Sequence, residues 1–280
     1  MFPSPRPVAP PILYKYRSVS LKDHHLDIIC QSEVWFSSPG AFNDPFDSNV
    51  AYFVDYSDID KNISYATKAL KREMPRWSLV KRRQFAKIRA EELMNDIENQ
   101  KELEELHRQQ MFDDFSMCCL SAHNDSVLMW AHYANNHRGI CIGISTSSLN
   151  YMRDRMLKSY GIQVMLDSVK YQSDPPVVDF FDSMSGRIDT FERDVTLRTY
   201  TKSSEWSYEK EWRLMIMKSG ERSGRLPNGA INNIILGCNI SDEDRGIVTQ
   251  LKNEYCPSSN MMQARRSRQG WSIEHEPIDD

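Results

Sequence analysis

Residues 206–216, WSYEKEWRLMI, alternate in character from one side chain to the next, which predicts a β-strand. One face of that strand would carry aromatic and aliphatic side chains with one lysine among them, and the other would carry Glu209, Glu211 and Arg213. Same-face neighbours along a strand are roughly 7 Å apart, so one ligand can touch both carboxylates. Like charges this close raise one pKa, which suits acid–base chemistry. The alternative is a solvated strand face that carries a ladder of charges.

Composition and charge restrict the class of protein. The 280 residues are 40% hydrophobic and 26% charged, which is typical of a globular chain with a sizeable core. A formal net charge of −4 gives no overall attraction to nucleic acid or to acidic membranes. The six cysteines form no C-x-x-C pair, and no apolar stretch reaches the length of a membrane span. We therefore expect a cytoplasmic protein that makes no membrane contact.

The order of predicted elements indicates an α+β protein. Residues 1–11 carry five prolines and predict a flexible leader, followed by a single domain at residues 12–280. Ser20 and Ser241 are placed to cap helices at residues 21–29 and 242–255. β-favouring residues predict strands at residues 13–18, 34–37, 115–121, 140–145, 164–171 and 231–236.

A helical insertion is predicted at about residues 58–112, where glycine is absent and apolar residues follow helical spacing. Pro75 should divide this insertion into two helices. Residues 71–89 within it hold eight basic residues, one acid (Glu73) and Trp77, which is a composition that can grip nucleic-acid phosphates. The alternative, which we favour, is a solvated helix face balanced by the acidic run at residues 91–105.

Two further segments carry candidate binding residues. Asn43 and Asp44 precede Pro45 in a turn that should be rigid, because proline restricts the residue before it and Asn and Asp side chains bond nearby amides. Such a loop either lines a binding site or is a purely structural turn. His132 and Tyr133 lie on a short predicted helix, and His132 is as well explained as a core histidine.

Three segments together resemble a widespread bacterial family that is classed as a domain of unknown function. They are NDPFD at residues 43–47, MWAHYA at residues 129–134 and WSYEKEWR at residues 206–213. Their layout in turn resembles that of ADP-ribosyltransferases. That resemblance implies a mixed, mainly antiparallel split β-sheet core and NAD, a nicotinamide dinucleotide, as the substrate.

The resemblance also implies roles for particular residues. Arg17 would bind the cofactor phosphates as a planar fork. Glu211 would stabilise the oxocarbenium-like centre formed when the nicotinamide bond breaks, and Glu209 would orient or deprotonate the acceptor. The other cofactor-binding candidates are Trp35, Ser37, Asn43, Asp44, Asp47, His132 and Tyr133. Alternatively, Arg17 simply neutralises Asp44 or Asp47.

The functional expectation is an enzyme that cleaves NAD and transfers ADP-ribose to a protein or nucleic-acid acceptor, an activity that would suit a toxin or phage-defence effector. One alternative is a non-catalytic module that binds or senses a nucleotide or nucleic acid. Another is a Mg²⁺-dependent nuclease built on Asp44, Asp47, Glu209 and Glu211.

Overall fold

The structure, a computed structural model, describes residues 7–20, 24–48, 50–113, 115–183, 188–217 and 222–278. The predicted leader is described only from residue 7 and the predicted helix at 21–29 only from residue 24, so the earlier parts of both predictions lie outside the described residues. In its described part the helix is shorter than predicted: it covers only Asp27–Cys30, because His24 takes a left-handed conformation with φ of 58°. Its N-cap is Leu26, so Ser20 does not cap it. The chain divides into two compact units. Unit 1 comprises Met1–Pro45, Asp113–Ser173 and Lys202–Asp280, and unit 2 comprises Phe46–Phe112 and Asp174–Thr201.

Strands and helices alternate irregularly along the chain. The strands are β1 (Ile12–Arg17), β2 (Glu33–Phe36), β3 (Ala51–Phe53), β4 (Ser116–Ser121), β5 (Ile140–Ser145), β6 (Val164–Ser168), β7 (Lys170–Gln172), β8 (Val177–Asp179), β9 (Thr201–Ser203), β10 (Glu211–Ile216), β11 (Arg222–Arg225), β12 (Ile231–Leu236), β13 (Asn260–Arg266) and β14 (Ile273–Pro277). The helices are α1 (Asp27–Cys30), α2 (Ile59–Glu73), α3 (Leu79–Asn95), α4 (Ile97–Asp113), α5 (Val127–Tyr133), α6 (Thr146–Tyr160), α7 (Phe180–Ser183), α8 (Ile188–Thr199) and α9 (Asp242–Tyr255). Short 3₁₀ helices cover Pro39–Ala41 and Ser204–Glu209.

Unit 1 is built on a sheet of eight strands in the order β14-β13-β12-β5-β1-β4-β10-β6. Its neighbours pair antiparallel except β12 and β13, which run parallel and are joined through α9. A parallel pair needs such a crossover, whereas antiparallel pairs can be joined by short turns. The expectation of an α+β protein with a mixed, mainly antiparallel sheet is therefore confirmed.

Each face of this sheet buries its own apolar cluster. Alternate residues along a strand point to opposite faces, so Leu13 packs with Ile142 and Leu214 on one face, whereas Tyr16 packs with Trp130 on the other. The rings of Tyr16 and Trp130 meet edge to face, with centroids 5.3 Å apart. Both faces of the central strands are covered, which makes them suitable for holding polar side chains away from water.

Unit 2 contains the predicted helical insertion. Helices α2 and α3 are separated at Pro75, as expected, but a further break at Asp96 separates α3 from α4. The basic stretch is partly balanced by acids, because Arg89 pairs with Glu73 at 2.9 Å and Lys87 lies 4.0 Å from Glu91. In the same unit, β3 pairs in parallel with β8.

None of the helices described in this chain combines the length and the apolar character that a bilayer crossing requires.

Candidate functional site

The structure corrects the predicted strand at residues 206–216. Ser204–Glu209 is a 3₁₀ helix, which the Ser203 hydroxyl caps by accepting from the Glu205 amide. Lys210 then takes a left-handed conformation with φ of 45°, and the strand begins only at Glu211. The alternation of residues 206–210 therefore reflects a tight turn, not a pleated strand. This turn folds Glu209 back towards Glu211.

The two glutamates form a buried ionic network with Lys202 and Arg213. The Lys202 ammonium donates to Glu209 Oε2 at 2.6 Å and to Glu211 Oε2 at 3.3 Å. The Arg213 guanidinium donates from Nε to Glu211 Oε1 at 2.7 Å and from Nη2 to Oε2 at 2.9 Å. All four residues are buried. Charges held out of water in this way remain tolerable only because each one meets an opposite charge.

The environments of the two glutamates shift their pKa values in opposite directions. Burial and the charge of Glu211 raise the pKa of Glu209, although Lys202 opposes this shift. Burial alone would raise the pKa of Glu211 as well, but the charges of Arg213 and Lys202 outweigh it and hold the pKa below its usual range. Pairs of carboxyl groups with divergent pKa values are typical of acid–base sites.

Two tyrosines and a serine fix the network in place. The Tyr133 hydroxyl donates to Glu209 Oε1 at 2.6 Å, and the Tyr171 hydroxyl accepts from the Glu211 amide at 2.8 Å. Burial and the neighbouring Glu209 charge raise the pKa of Tyr133, so its hydroxyl stays protonated and remains a donor. On β4, the Ser121 hydroxyl donates to the Glu209 carbonyl at 2.6 Å.

An aromatic rim lies beside the network, and we define it as His132, Tyr133, Trp206 and Tyr208. The ring centroids of His132 lie 6.2 Å from Tyr133, 6.4 Å from Trp206 and 6.1 Å from Tyr208. The Lys202 ammonium sits over the Trp206 ring, 4.8 Å from its centroid. His132 is exposed and the other three are half-buried, so the rim links solvent to the buried charges.

The NDPFD loop reaches this site through its first residue, Asn43, and Phe42 just before the loop reaches it as well. Asn43 is exposed and its side-chain amide donates to the Tyr133 hydroxyl at 3.4 Å. Phe42 places its ring 5.9 Å from the Arg213 guanidinium. Asp44 is buried in unit 1. Asp47 belongs to unit 2, where it is buried and accepts from the Ser48 hydroxyl at 3.1 Å.

Arg17 does not join the glutamates, which corrects the expectation that they share one site. In the register of the sheet, Glu211 and Tyr14 both pair with Ser121, so these three side chains point to one face. Arg17, three residues after Tyr14 on β1, points to the other face. Whatever its role, Arg17 lies across the sheet from the two carboxylates.

Trp35 and Ser37 also lie apart from the network. The Trp35 ring stacks on His24 with centroids 3.9 Å apart. The pocket that Trp35 lines is also lined by Arg17, whereas Glu209 and Glu211 do not line it. Ser37 forms an isolated bridge to Met117 with backbone bonds of 2.8 and 2.9 Å. The structure thus brings together Glu209, Glu211, Asn43, His132 and Tyr133, and it leaves Arg17, Trp35 and Ser37 elsewhere.

Lys202 and Tyr171 belong to the site although no pattern in the sequence predicts it. Neither residue has a spacing that marks it, because each reaches the glutamates from a different segment of the chain. Arg213, in contrast, was expected on the same face as Glu211, and it forms the shortest ion pair to that carboxylate.

The described part of the chain contains no group of three or more His, Cys, Asp or Glu side chains placed to hold a metal ion. In the network, both oxygens of Glu211 already accept from cations. The arrangement of these carboxylate oxygens therefore gives no support to the alternative of a Mg²⁺-dependent nuclease.

The fold and the network define an α+β protein with a buried ionic site beside an aromatic rim. Residues 129–214 match the model of a family described as a protein of unknown function, DUF2971. That segment includes Tyr133, Lys202, Glu209, Glu211 and Arg213. No curated protein and no solved structure matches the chain.

Proposed function

We propose that this protein is an ADP-ribosyltransferase-like enzyme that cleaves NAD and transfers ADP-ribose to a protein or nucleic-acid acceptor. The observation that carries the proposal is the pairing of two buried carboxylates with opposite pKa shifts beside an aromatic rim. The mixed, mainly antiparallel sheet supports an ADP-ribosyltransferase-like core. A role as a toxin or phage-defence effector would follow from such an activity.

In the proposed reaction, the bond between nicotinamide and ribose breaks and nicotinamide leaves with the electron pair. The ribose carbon becomes oxocarbenium-like, and a nearby ionised carboxylate stabilises its positive charge. Glu211 has the lowered pKa that this task requires. The acceptor attacks the same carbon and loses a proton, which Glu209 takes because its raised pKa makes it the better base.

The aromatic rim supplies the surface on which a nicotinamide or adenine ring would stack. Such rings prefer offset or tilted contacts with aromatic side chains at centroid distances of about 4.5–7 Å. Trp206 and Tyr208 are half-buried and tilted to each other by 41°, so each keeps part of its side chain exposed, although Lys202 covers one face of Trp206. Tyr133 links this surface to Glu209 directly.

A cytoplasmic location is part of the proposal. All six cysteines are free thiols, which is typical of proteins in a reducing compartment.

The proposal is tested by incubating the purified protein with NAD and measuring released nicotinamide by chromatography. Glu209→Gln keeps the shape of the side chain and removes its charge, so turnover should fall by about 100-fold or more. Glu205→Gln is the matched control, because Glu205 lies exposed on the same 3₁₀ helix. Turnover that exceeds background and is equal in both variants would show that Glu209 has no part in the reaction.

A second candidate is a non-catalytic module that binds a nucleotide. The observation in its favour is that the charges of Glu209 and Glu211 are already paired with Lys202 and Arg213, as in a structural network. This candidate predicts that NAD raises the melting temperature without any release of nicotinamide.

A further inference from the structure

The face of the sheet opposite the glutamates carries two cations on the same strand. Lys15 and Arg17 are two residues apart on β1, and their side chains therefore point the same way. Both residues keep some solvent exposure, but the surroundings of each charged group are densely packed. Burial lowers the pKa of both groups, and the charge of Arg17 lowers that of Lys15 further.

Among the described residues, neither cation has a carboxylate partner. The Lys15 ammonium donates to the Cys119 carbonyl at 2.6 Å, which satisfies one of its three protons. Within the part of the chain that the structure describes, no carboxylate lies within ion-pairing distance of Lys15 or Arg17, and the Arg17 guanidinium makes no hydrogen bond. Glu211 acts on Lys15 only at longer range. Two adjacent cations that are partly buried without a counter-charge repel each other, and a bound anion would remove that cost.

A cleft lies where such an anion would bind. Its lining includes Lys15, Arg17, His24, His25 and Trp35. His24 stacks flat on Trp35, with an interplanar angle of 8°, and has a positive φ of 58°. His25 is oriented by a hydrogen bond of 2.6 Å between its Nδ1 and the Ser18 hydroxyl. Because His24 Nδ1 already bonds Asp27 Oδ2 at 2.6 Å, the groups of the lining that can attract an anion are Lys15 and Arg17.

The charge and size of the cleft restrict the ligand. Glu33 also lines it but forms no ion pair with either cation, so the lining holds two cations and one carboxylate. The inner volume is about 10 Å³, which admits one water-sized group. A whole nucleotide does not fit this space, whereas one or two oxygens of a phosphate group can enter it while the remainder faces solvent.

We infer that Lys15 and Arg17 form a binding site for a single phosphate group, on the opposite face of the sheet from the ionic network. The planar fork of Arg17 binds two phosphate oxygens, and the Lys15 ammonium adds a point charge. This site is independent of the proposed NAD cleavage, because none of its residues belongs to the ionic network or the aromatic rim.

The test measures binding of inorganic phosphate to the full chain by calorimetry and by melting temperature, against sodium chloride at equal ionic strength. Arg17→Met keeps the packing of the aliphatic stem and removes the charge, and the affinity for phosphate should fall by about tenfold or more. Arg268→Met is the matched control, because Arg268 is an exposed arginine of the same unit. Its affinity should equal that of the wild-type protein.

A second readout separates a binding role from a structural one. Without phosphate, Arg17→Met should melt at or above the wild-type temperature, because an uncompensated buried charge has been removed. With phosphate, the order should reverse, since only the wild-type protein is stabilised. The inference is overturned if the wild-type protein binds no phosphate, if chloride gives the same stabilisation, or if Arg17→Met melts lower without phosphate and keeps its affinity.

Discussion

The hydroxyl of Tyr133 donates a hydrogen bond of 2.6 Å to Oε1 of Glu209, and the amide of Asn43 donates to the same hydroxyl from the solvent side. Tyr133 is therefore the connection between the exposed NDPFD loop and the buried charges. Changes at Tyr133 should alter the protonation of Glu209 without removing any charge.

We expect Tyr133→Phe to raise the pKa of Glu209 further, because the lost hydrogen bond favours the ionised carboxylate. The rising limb of the pH–rate profile should move to higher pH, and the free energy of unfolding should fall by about 1 kcal/mol. The first effect is measured as NAD turnover from about pH 4 to about pH 9, a range that begins near the ordinary carboxyl pKa. Urea denaturation measures the second effect. Tyr160→Phe is the control, since Tyr160 is 70% exposed. An unchanged profile would show that the Glu209 proton is not rate-determining.

Lys202→Met should destabilise unit 1 strongly, because it leaves two buried carboxylates close together with Arg213 as the remaining cation of the network. We expect a loss of about 3–5 kcal/mol at neutral pH, as for other broken buried pairs. The loss should be smaller at acidic pH, where Glu209 with its raised pKa takes up a proton. Urea denaturation at two pH values measures the difference, with the exposed Lys158→Met as control.

Combining Lys202→Met with Glu209→Gln provides an internal check on that prediction. The double variant removes one charge of each sign, so it should recover part of the stability that Lys202→Met alone loses. If the two losses simply add, Lys202 and Glu209 are not coupled in solution.

Glu211→Gln should destabilise the protein at neutral pH and do so less as the pH falls. The folded-state pKa of Glu211 lies below its ordinary value of 4.5, so its contribution to stability is present above that value and disappears as pH falls through the folded-state pKa. Stability of wild-type and variant proteins should therefore converge in acid. Denaturation curves of the wild-type and Glu211→Gln proteins at neutral and acidic pH measure this convergence. The exposed Glu205→Gln is the control.

Lys210 holds the turn that separates the two glutamates, and its left-handed conformation makes it sensitive to the shape of the side chain. Glycine adopts this conformation freely, whereas a β-branched residue is strained there. We expect Lys210→Val to be less stable than Lys210→Gly by about 1–2 kcal/mol. Thermal unfolding of both variants measures the difference, and equal melting temperatures would mean that the turn relaxes.

Apolar runs and capping hydroxyls predicted the strands and helices whose positions depend on residues within the element or next to it. Strands β5 and β12 begin and end where the pattern of apolar residues placed them, and Ser241 caps α9 by accepting from the Asp244 amide, as expected. At α5, the Ser126 hydroxyl caps the helix by accepting from the Met129 amide. In each case the hydrophobic run or the capping hydroxyl acts within a few residues of the element that it specifies.

The site was less predictable because its geometry depends on one turn and on the register of the sheet. Residues 206–210 alternate as a strand does, yet residues 206–209 lie in a 3₁₀ helix that Ser203 caps and that ends at the bend of Lys210. Lys202 reaches Glu209 only because of that turn. The separation of Arg17 from Glu211 requires the pairing of β1 with β4, which no local pattern of side chains reveals.

Strand β1 lies near the middle of the large sheet, and its two sets of alternate side chains serve different surroundings: Tyr14 and Tyr16 on one side, Lys15 and Arg17 on the other. Inserting or deleting one residue in this strand would exchange the two sets. One ammonium and one guanidinium group would then press against the indole of Trp130, while two phenols would face the cleft beside His24. The strand can thus accept changes of residue type far more readily than any change of length.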